Sequence, residues 1–436
     1  MTGAQEPENV STTTQRIAES ARTHPQRAFT SLAHHIDLPW LKAAWQRTRK
    51  DGAPGIDGCD AEQYAQALDA NLADLLERAK SGVYQAPAVR RVYIPKGDGT
   101  RTRPIGIPTF EDKVLQRAVA MVLEPIYEQD FVPGSYGFRP GRSAHQALER
   151  IRSSLQRMGG GWVLEIDIEA FFDTLDHQHL RAFLDRRVRD GVLRRLIDKW
   201  LNAGVMEDGV HTRSVEGSPQ GGVISPLLAN VYLHYVLDEW FEQEVKPRLR
   251  GQAQLIRYAD DATLVFGNET DARRVMDVLP KRFGRFGLRL HPRKTHLVRC
   301  YPPHEGESHA GSSFDLLGFT HYWGTSRRGA WTLKRKTAKD RLARALRSIK
   351  HWCRRHRHEP LEQQHLALTR KLRGHYAYYG ISGNARALAN FRFWAERTWI
   401  KWLGRRSQRQ RLNWDRAASF VARFPLPPAR IVHKYA

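Results

Sequence analysis

Cysteine is scarce in this 436-residue chain: Cys59, Cys300 and Cys353 lie far apart, in no CxxC or Cys/His cluster. That spacing argues against a disulfide framework and against a structural zinc, and it fits a reducing cytoplasm. Long apolar runs are also missing, none approaching the roughly 18 residues a membrane span needs. The first 20 residues are polar and lack an apolar h-region, so neither a leader nor an anchor is expected. Acidic residues are thin towards the C-terminus. From Arg327 to Ala436 there are 28 Lys and Arg against five acids (Asp340, Glu359, Glu362, Glu396, Asp415), a local charge of +23 out of +24 for the whole chain.

A charge of that size in one quarter of a chain repels itself and calls for a polyanion. Six of the 12 tryptophans, Trp331 to Trp414, lie in the same stretch. Basic residues interleaved with aromatics suit phosphate neutralisation with base stacking. Helices with solvated basic faces and core tryptophans are the alternative, and most of these rings are expected in a core. With 41% hydrophobic residues the bulk of the chain is globular, and its length suggests two to four structural units.

Helix and strand patterns alternate. Residues 1–30 read as a mobile tail. Strands are expected over Val89–Ile94 and Arg101–Ile107, joined by Lys96-Gly97-Asp98-Gly99. Helices are expected over Glu111–Tyr127, Ser143–Met158, Pro226–Glu244 and Asp271–Phe286, and the pattern turns helical after Trp331. Leu342, Leu346, Ile349 and either Trp352 or Cys353 recur at helical spacing.

Two acidic features stand out. Tyr258-Ala259-Asp260-Asp261 sets adjacent carboxylates between two strand-like runs, the tip of a tight hairpin. Such a pair needs a counter-charge, and a hard divalent cation is the natural one; a plain acidic turn is the alternative. The strand Trp162–Ile168 carries Asp167 at its polar end. If the two strands neighbour one another, three carboxylates form the site that two-metal phosphoryl transfer requires.

Nine segments in a fixed order make the chain resemble the reverse transcriptases encoded by bacterial group II introns, the intron maturases. Besides the two acidic segments they include Lys50–Gly58, Val92–Lys96, Arg103–Pro108, Tyr136-Gly137-Phe138-Arg139-Pro140-Gly141-Arg142-Ser143, Gly217–Pro226, Gly287–Leu290 with Lys294, and Leu316–Phe319. The resemblance implies an α+β right-hand polymerase. Its parts would be fingers over 31–160, a palm over 161–326, a helical thumb over 327–385 and a basic nucleic-acid-binding segment over 386–436.

It further implies catalytic Asp167, Asp260 and Asp261, with Ile168 completing the ligand set for two Mg²⁺ ions, Mn²⁺ substituting. Lys96 and Arg103 would grip the incoming triphosphate, and Phe172 would close against a ribose 2′-hydroxyl, with Phe171 left to the core. Gln220 would contact the templating or incoming nucleotide. Lys294 would either pair with Asp260 or Asp261 or touch phosphate. Nucleic acid would be held by Arg139, Lys294, Gly318, Arg354, Arg355, Arg357, Arg373, Tyr376 and Tyr379. In Leu372–Gly380, which looks like the maturase thumb motif, tyrosines at 376, 378 and 379 do not form one helical stripe, so some should face outward.

The implied partners are group II intron RNA or another RNA template, a DNA primer or target, and deoxynucleoside triphosphates, with no membrane and a cytoplasmic, nucleoid-associated location. No Cys/His-rich nuclease region follows Trp414. Three rivals stand beside this reading: a related enzyme serving DNA repair or phage defence, an RNA-binding splicing cofactor without polymerase activity, and an RNA-dependent RNA polymerase. The intact acids oppose the second, and Phe172 opposes the third.

Overall fold

Short polar side chains set where the helices begin. Thr109 caps the Phe110–Asp130 helix by accepting a hydrogen bond from Asp112 N, and Asp176, Asp190 and Asn268 do the same for His177–Asp185, Gly191–Leu201 and Glu269–Gly284. Runs rich in β-branched and aromatic residues form strands between them. In chain order these are β1 (Val89–Pro95), β2 (Thr102–Ile107), β3 (Gly161–Ile166), β4 (Val205–Glu207), β5 (Val210–Thr212), β6 (Ala253–Tyr258), β7 (Asp261–Phe266), β8 (His296–Cys300), β9 (Ser313–Leu316), β10 (Phe319–Thr325) and β11 (Trp331–Thr337). The structure, a computed structural model, describes residues 8–95, 102–207, 210–212, 221–303, 313–326, 328–406 and 414–434.

Three sheets result, giving a mixed α+β chain: β2-β1-β4-β5, β6-β7-β3-β8 and β11-β10-β9. The β1–β2 hairpin is antiparallel, pairing Ile94 with Arg103. The chain divides into two compact units, Met1–Ser143 with Leu164–Leu297, and Ala144–Val163 with Val298–Ala436. The first is built on the Phe110–Asp130 helix, where Val114, Leu115, Ala118, Val119, Val122 and Ile126 are completely buried. In the second, Ile349, Cys353, Leu368, Leu372, Phe391 and Trp399 come together from three helices, Lys339–Arg355, Leu361–Tyr379 and Ala385–Leu403. Each large apolar side chain buried in this way contributes about 1.5–3 kcal/mol. No helix among the described residues is long and apolar enough to cross a membrane.

The structure corrects three expectations. The mobile tail is, from Glu8, a helix (Glu8–Thr23) that buries Val10, Ile17 and Ala21; its apolar stripe is one residue wide, too thin to register against a polar composition. Trp331–Thr337 is a strand, and helix resumes only at Lys339. Residues 386–436 are no separate segment: Phe424 and Leu426 join the same core as Leu368 and Trp399, and residues 144–163 group with this unit as well.

The helix expected over 226–244 also differs in detail. It is α-helical over Ser225–Leu233, then passes into π-helical turns at His234–Asp238 and Phe241–Val245.

Candidate active site

β6 and β7 are joined by a two-residue turn. Tyr258 pairs with Asp261, leaving Ala259 and Asp260 at the tip. Leu255, Ile256, Leu264, Val265 and Phe266 are buried and anchor both arms. Ala259 has φ +58°, the left-handed region. A side chain there costs about 1–3 kcal/mol and persists only where the surroundings hold it. The turn leaves Asp260 half-buried and Asp261 exposed at the head of β7.

β3 lies beside β7, and Asp167 follows directly on its last residue. The acid is held from the Gly287–Thr295 stretch: His291 N donates to Asp167 O at 2.8 Å, Asp167 N donates to Thr295 Oγ1 at 3.2 Å, and Ile168 bridges Leu290. Lys294 sets its ammonium 2.9 Å from Asp167 Oδ2, with the side chains 59% and 31% exposed. Of the two sequence-based options for Lys294, salt-bridge support is what is seen, but to Asp167 instead of Asp260 or Asp261. Among the described residues no three His, Cys, Asp or Glu side chains form a ready metal cage.

Behind the hairpin lies a group of residues that carried no expected role. Arg257 is wholly buried and donates to both carboxylate oxygens of the equally buried Asp238 (2.7 and 2.6 Å), to Asn230 Oδ1 (2.9 Å), to Ser135 Oγ (2.8 Å) and to the Ala259 carbonyl (2.9 Å). The Gly134–Gly137 stretch runs parallel to β6 through the Ser135–Arg257 bridge. At Gly137 an added Cβ would fall 2.2 Å from Ala259 N, so only glycine allows this approach. The sequence clue was a charged residue, Arg257, inside an otherwise buried strand.

In the same unit, Arg103 is exposed on β2, opposite Ile94. Gly221, at φ +126°, lies so close to β2 that a Cβ would sit 2.5 Å from Gly106 O. Gln116 Oε1 accepts from Val223 N (2.8 Å) and Ile224 N (3.3 Å). The Arg103–Pro108 segment and residues 221–226 are thus brought together, while Lys96 and Gln220 lie outside the described residues. Phe171 is buried, and Phe172 is half-buried, edge-on to it at 5.3 Å.

Residues 94–321, more than half of the chain, match the family described as reverse transcriptase (RNA-dependent DNA polymerase). The chain belongs to the reverse transcriptase family. It is 38% identical to protein YkfC of Escherichia coli strain K12 over 266 residues, 59% of this chain and 68% of YkfC. It is 36% identical to the group II intron-encoded protein LtrA of Lactococcus lactis subsp. cremoris over 221 residues, half of this chain but only 37% of LtrA. Nuclear intron maturase 2, mitochondrial, of Arabidopsis thaliana is 31% identical over 34% of this chain and 25% of that protein. RNA-dependent DNA polymerase is the description of the family this chain belongs to, while the chain spans well under half of LtrA and of the plant maturase.

The reverse transcriptase's remaining expected contacts divide by exposure. Arg139 is interior, its side chain 3% exposed, and it donates to Glu128 and to the carbonyls of Val132 and Ser135. Tyr376 is interior as well, 3% exposed in the helical core, donating to Pro427 O. Neither is placed to meet nucleic acid, because burial and protein partners already satisfy them.

Gly318 and Leu317, at φ +79° and +49°, form the β9–β10 turn, and Tyr378 donates to Leu317 O at 2.8 Å. Tyr379 is half-buried, its ring 5.2 Å from that of Phe319. Two motifs far apart in sequence therefore meet at one turn. Arg354, Arg355 and Arg373 are exposed, while Arg357 is half-buried and donates to Arg354 O. Sequence reasoning passed over Phe393 and Trp394, exposed neighbours on the Ala385–Leu403 helix, with Arg397 over the Phe393 ring at 4.8 Å.

Proposed function

We propose that the protein extends a DNA primer on an RNA template at Asp167, Asp260 and Asp261, with the two units supplying fingers and palm, and thumb, and that its RNA partner is a group II intron whose splicing and mobility it assists. The observation that carries the site is the turn at Ala259-Asp260, strained and braced from behind, with Asp167 directly after the end of the neighbouring strand. Their oxygens are the hard donors that Mg²⁺ prefers, Mn²⁺ being the closest substitute. Asp167 already accepts a cation, the Lys294 ammonium, so the site tolerates positive charge at that carboxylate. Bound divalent ions supply activation of the primer 3′-hydroxyl and neutralisation of the triphosphate.

The chain's own residues do the rest. Asp167, Ile168 through its carbonyl, Asp260 and Asp261 hold the ions. Arg103 and Lys96 take triphosphate charge, and Gln220 meets the nucleotide. The half-buried Phe172 ring, backed by Phe171, excludes a 2′-hydroxyl by size. Arg354, Arg355, Arg357 and Arg373 neutralise RNA phosphates, with Gly318 and Tyr379 by the primer end and the exposed Phe393 and Trp394 available for stacking.

The intron assignment follows the names of LtrA and the plant maturase, both matched over only part of their length. Sequencing RNA that copurifies with the protein tests it. Enrichment of one structured intron is expected; bulk cellular RNA without enrichment would contradict it.

A further inference from the structure

Arg257 spends its whole hydrogen-bonding capacity inside the unit that carries the acids. A guanidinium has five N–H donors in a rigid planar fork. All five are used here: two on Asp238, one each on Asn230 Oδ1, Ser135 Oγ and the Ala259 carbonyl. Its backbone is fixed as well, N donating to Gly134 O and O accepting from Tyr136 N, both at 2.8 Å. Asp238 reaches it from the end of the π-helical turn His234–Asp238, where the wider helix changes the direction in which side chains project. Asn230 ties the same group to the neighbouring Gly134–Gly137 stretch, donating to Gly137 O at 2.7 Å.

The outlet of this network is the Ala259 carbonyl. That carbonyl belongs to the residue with φ +58°, immediately before Asp260. At the first position of a two-residue hairpin turn, a positive φ ordinarily goes to glycine, and alanine has to be held there. Arg257 holds it by hydrogen bond, and Gly137 leaves room for the turn.

We propose that Arg257 is a positioning residue for polymerisation: with Asp238, Asn230 and Ser135 it pins the Ala259 carbonyl and so fixes the direction in which Asp260 and Asp261 present their carboxylates. The inference rests on the reading of those two acids as metal ligands. Arg257 touches no substrate. A lysine in its place keeps the charge for Asp238 but has no planar fork to span Asp238 and the turn together.

The test uses the full-length protein, poly(rA)–oligo(dT) and dTTP, comparing wild type with Arg257→Lys, Asn230→Ala and Asp260→Asn. Melting temperature establishes folding, Mn²⁺ binding to the free protein is read by electron paramagnetic resonance, and kcat, KM for dTTP and half-saturating Mg²⁺ are measured separately. Because a small misplacement of a catalytic group costs up to about a hundredfold, Arg257→Lys should lower kcat roughly ten- to a hundredfold. Mn²⁺ affinity should fall and the Mg²⁺ requirement rise, while KM for dTTP and affinity for the template–primer stay within about twofold, because the substituted residue acts through the metal-holding turn and not through substrate binding. Asn230→Ala should move the same quantities less far, and it carries the test if Arg257→Lys does not fold. Folded Arg257→Lys or Asn230→Ala protein with wild-type kcat and Mn²⁺ affinity, whatever its melting temperature, overturns the proposal. An active Asp260→Asn would instead overturn the reading of the acids beneath it.

Discussion

Lys294 sets its ammonium 2.9 Å from a carboxylate oxygen of Asp167, across the antiparallel bridge between Ile168 and Leu290. Both side chains reach solvent, so the pair adds little to stability: exposed ion pairs are worth about 0.2–1 kcal/mol. Its consequence is for ions that share Asp167. Lys294→Gln should leave the melting temperature within a degree or two, yet tighten Mn²⁺ binding to the free protein by about two- to fivefold, the equivalent of that pair energy. Mn²⁺ titration followed by electron paramagnetic resonance checks this. Unchanged or weaker binding would mean that the ammonium does not compete for Asp167.

Sugar selection should follow the size of Phe172. Phe172→Val removes the outer ring while leaving Phe171 in the core, so ribonucleotide incorporation should rise relative to deoxynucleotide by at least about tenfold, the scale on which pockets discriminate by shape. Single-nucleotide kinetics with paired ribo- and deoxynucleotides decides it. If the ratio does not move, the wall beneath the 2′ position is another residue.

Gly137 makes a steric prediction. Gly137→Ala places a methyl where Ala259 N now lies, 2.2 Å away, and backbone atoms must give way. Overpacking of this kind costs about 1–3 kcal/mol in stability. The larger effect should be on nucleotide addition, because the displaced atoms belong to the turn before Asp260. Melting curves and primer extension on one preparation compare the two losses; a stability loss with full polymerase activity would separate Gly137 from the site.

Acid should destabilise the helical unit through its buried histidines. Burial pushes His375, stacked on Phe391 at 3.8 Å, down to about 4, and burial with the Arg335 charge pushes His321 down to about 3. The unfolded chain takes up these protons near pH 6.5 and the folded one does not, so their contribution is complete above that value and is lost as pH falls towards the folded values. Asp112 works in the other direction: burial lifts it to about 6, so its contribution declines as pH rises from about 4 through 6. His375→Phe should therefore lose less melting temperature than wild type between pH 7 and pH 5. Equal losses would indicate that His375 accepts a proton without unfolding.

Salt should separate RNA binding from chemistry. Replacing Arg354, Arg355 and Arg357 by Gln should flatten the dependence of log affinity on log salt by about 0.7–0.9 for each RNA phosphate that is no longer neutralised. Single-nucleotide addition on saturating template–primer should change less. A triple variant that kept its salt slope and lost only polymerisation would reverse the assignment of these arginines.

Much of the candidate site's placement was legible because its acids lie in consecutive residues beside strand-like runs. Asp260 and Asp261 sit between two runs of buried β-formers, and the apolar Leu164 and Ile166 place Asp167 at a strand end. What stayed hidden depends on distant partners. Arg139 looked like a phosphate ligand until Glu128 and two carbonyls were seen to enclose it. Tyr376 shares a motif with Tyr378 and Tyr379, but helix geometry turns it into the core. Arg257 gave no local sign of its partners, since Asp238 reaches it only after a π-helical turn that no residue pattern announces.

The most direct measurement is primer extension on an RNA template by wild type and Asp260→Asn, with RNA affinity determined on the same preparations. The account predicts divalent-ion-dependent DNA synthesis by wild type and none by Asp260→Asn, with RNA affinity of the two within about twofold because basic residues elsewhere neutralise the phosphates. Synthesis by Asp260→Asn at the wild-type rate would contradict it.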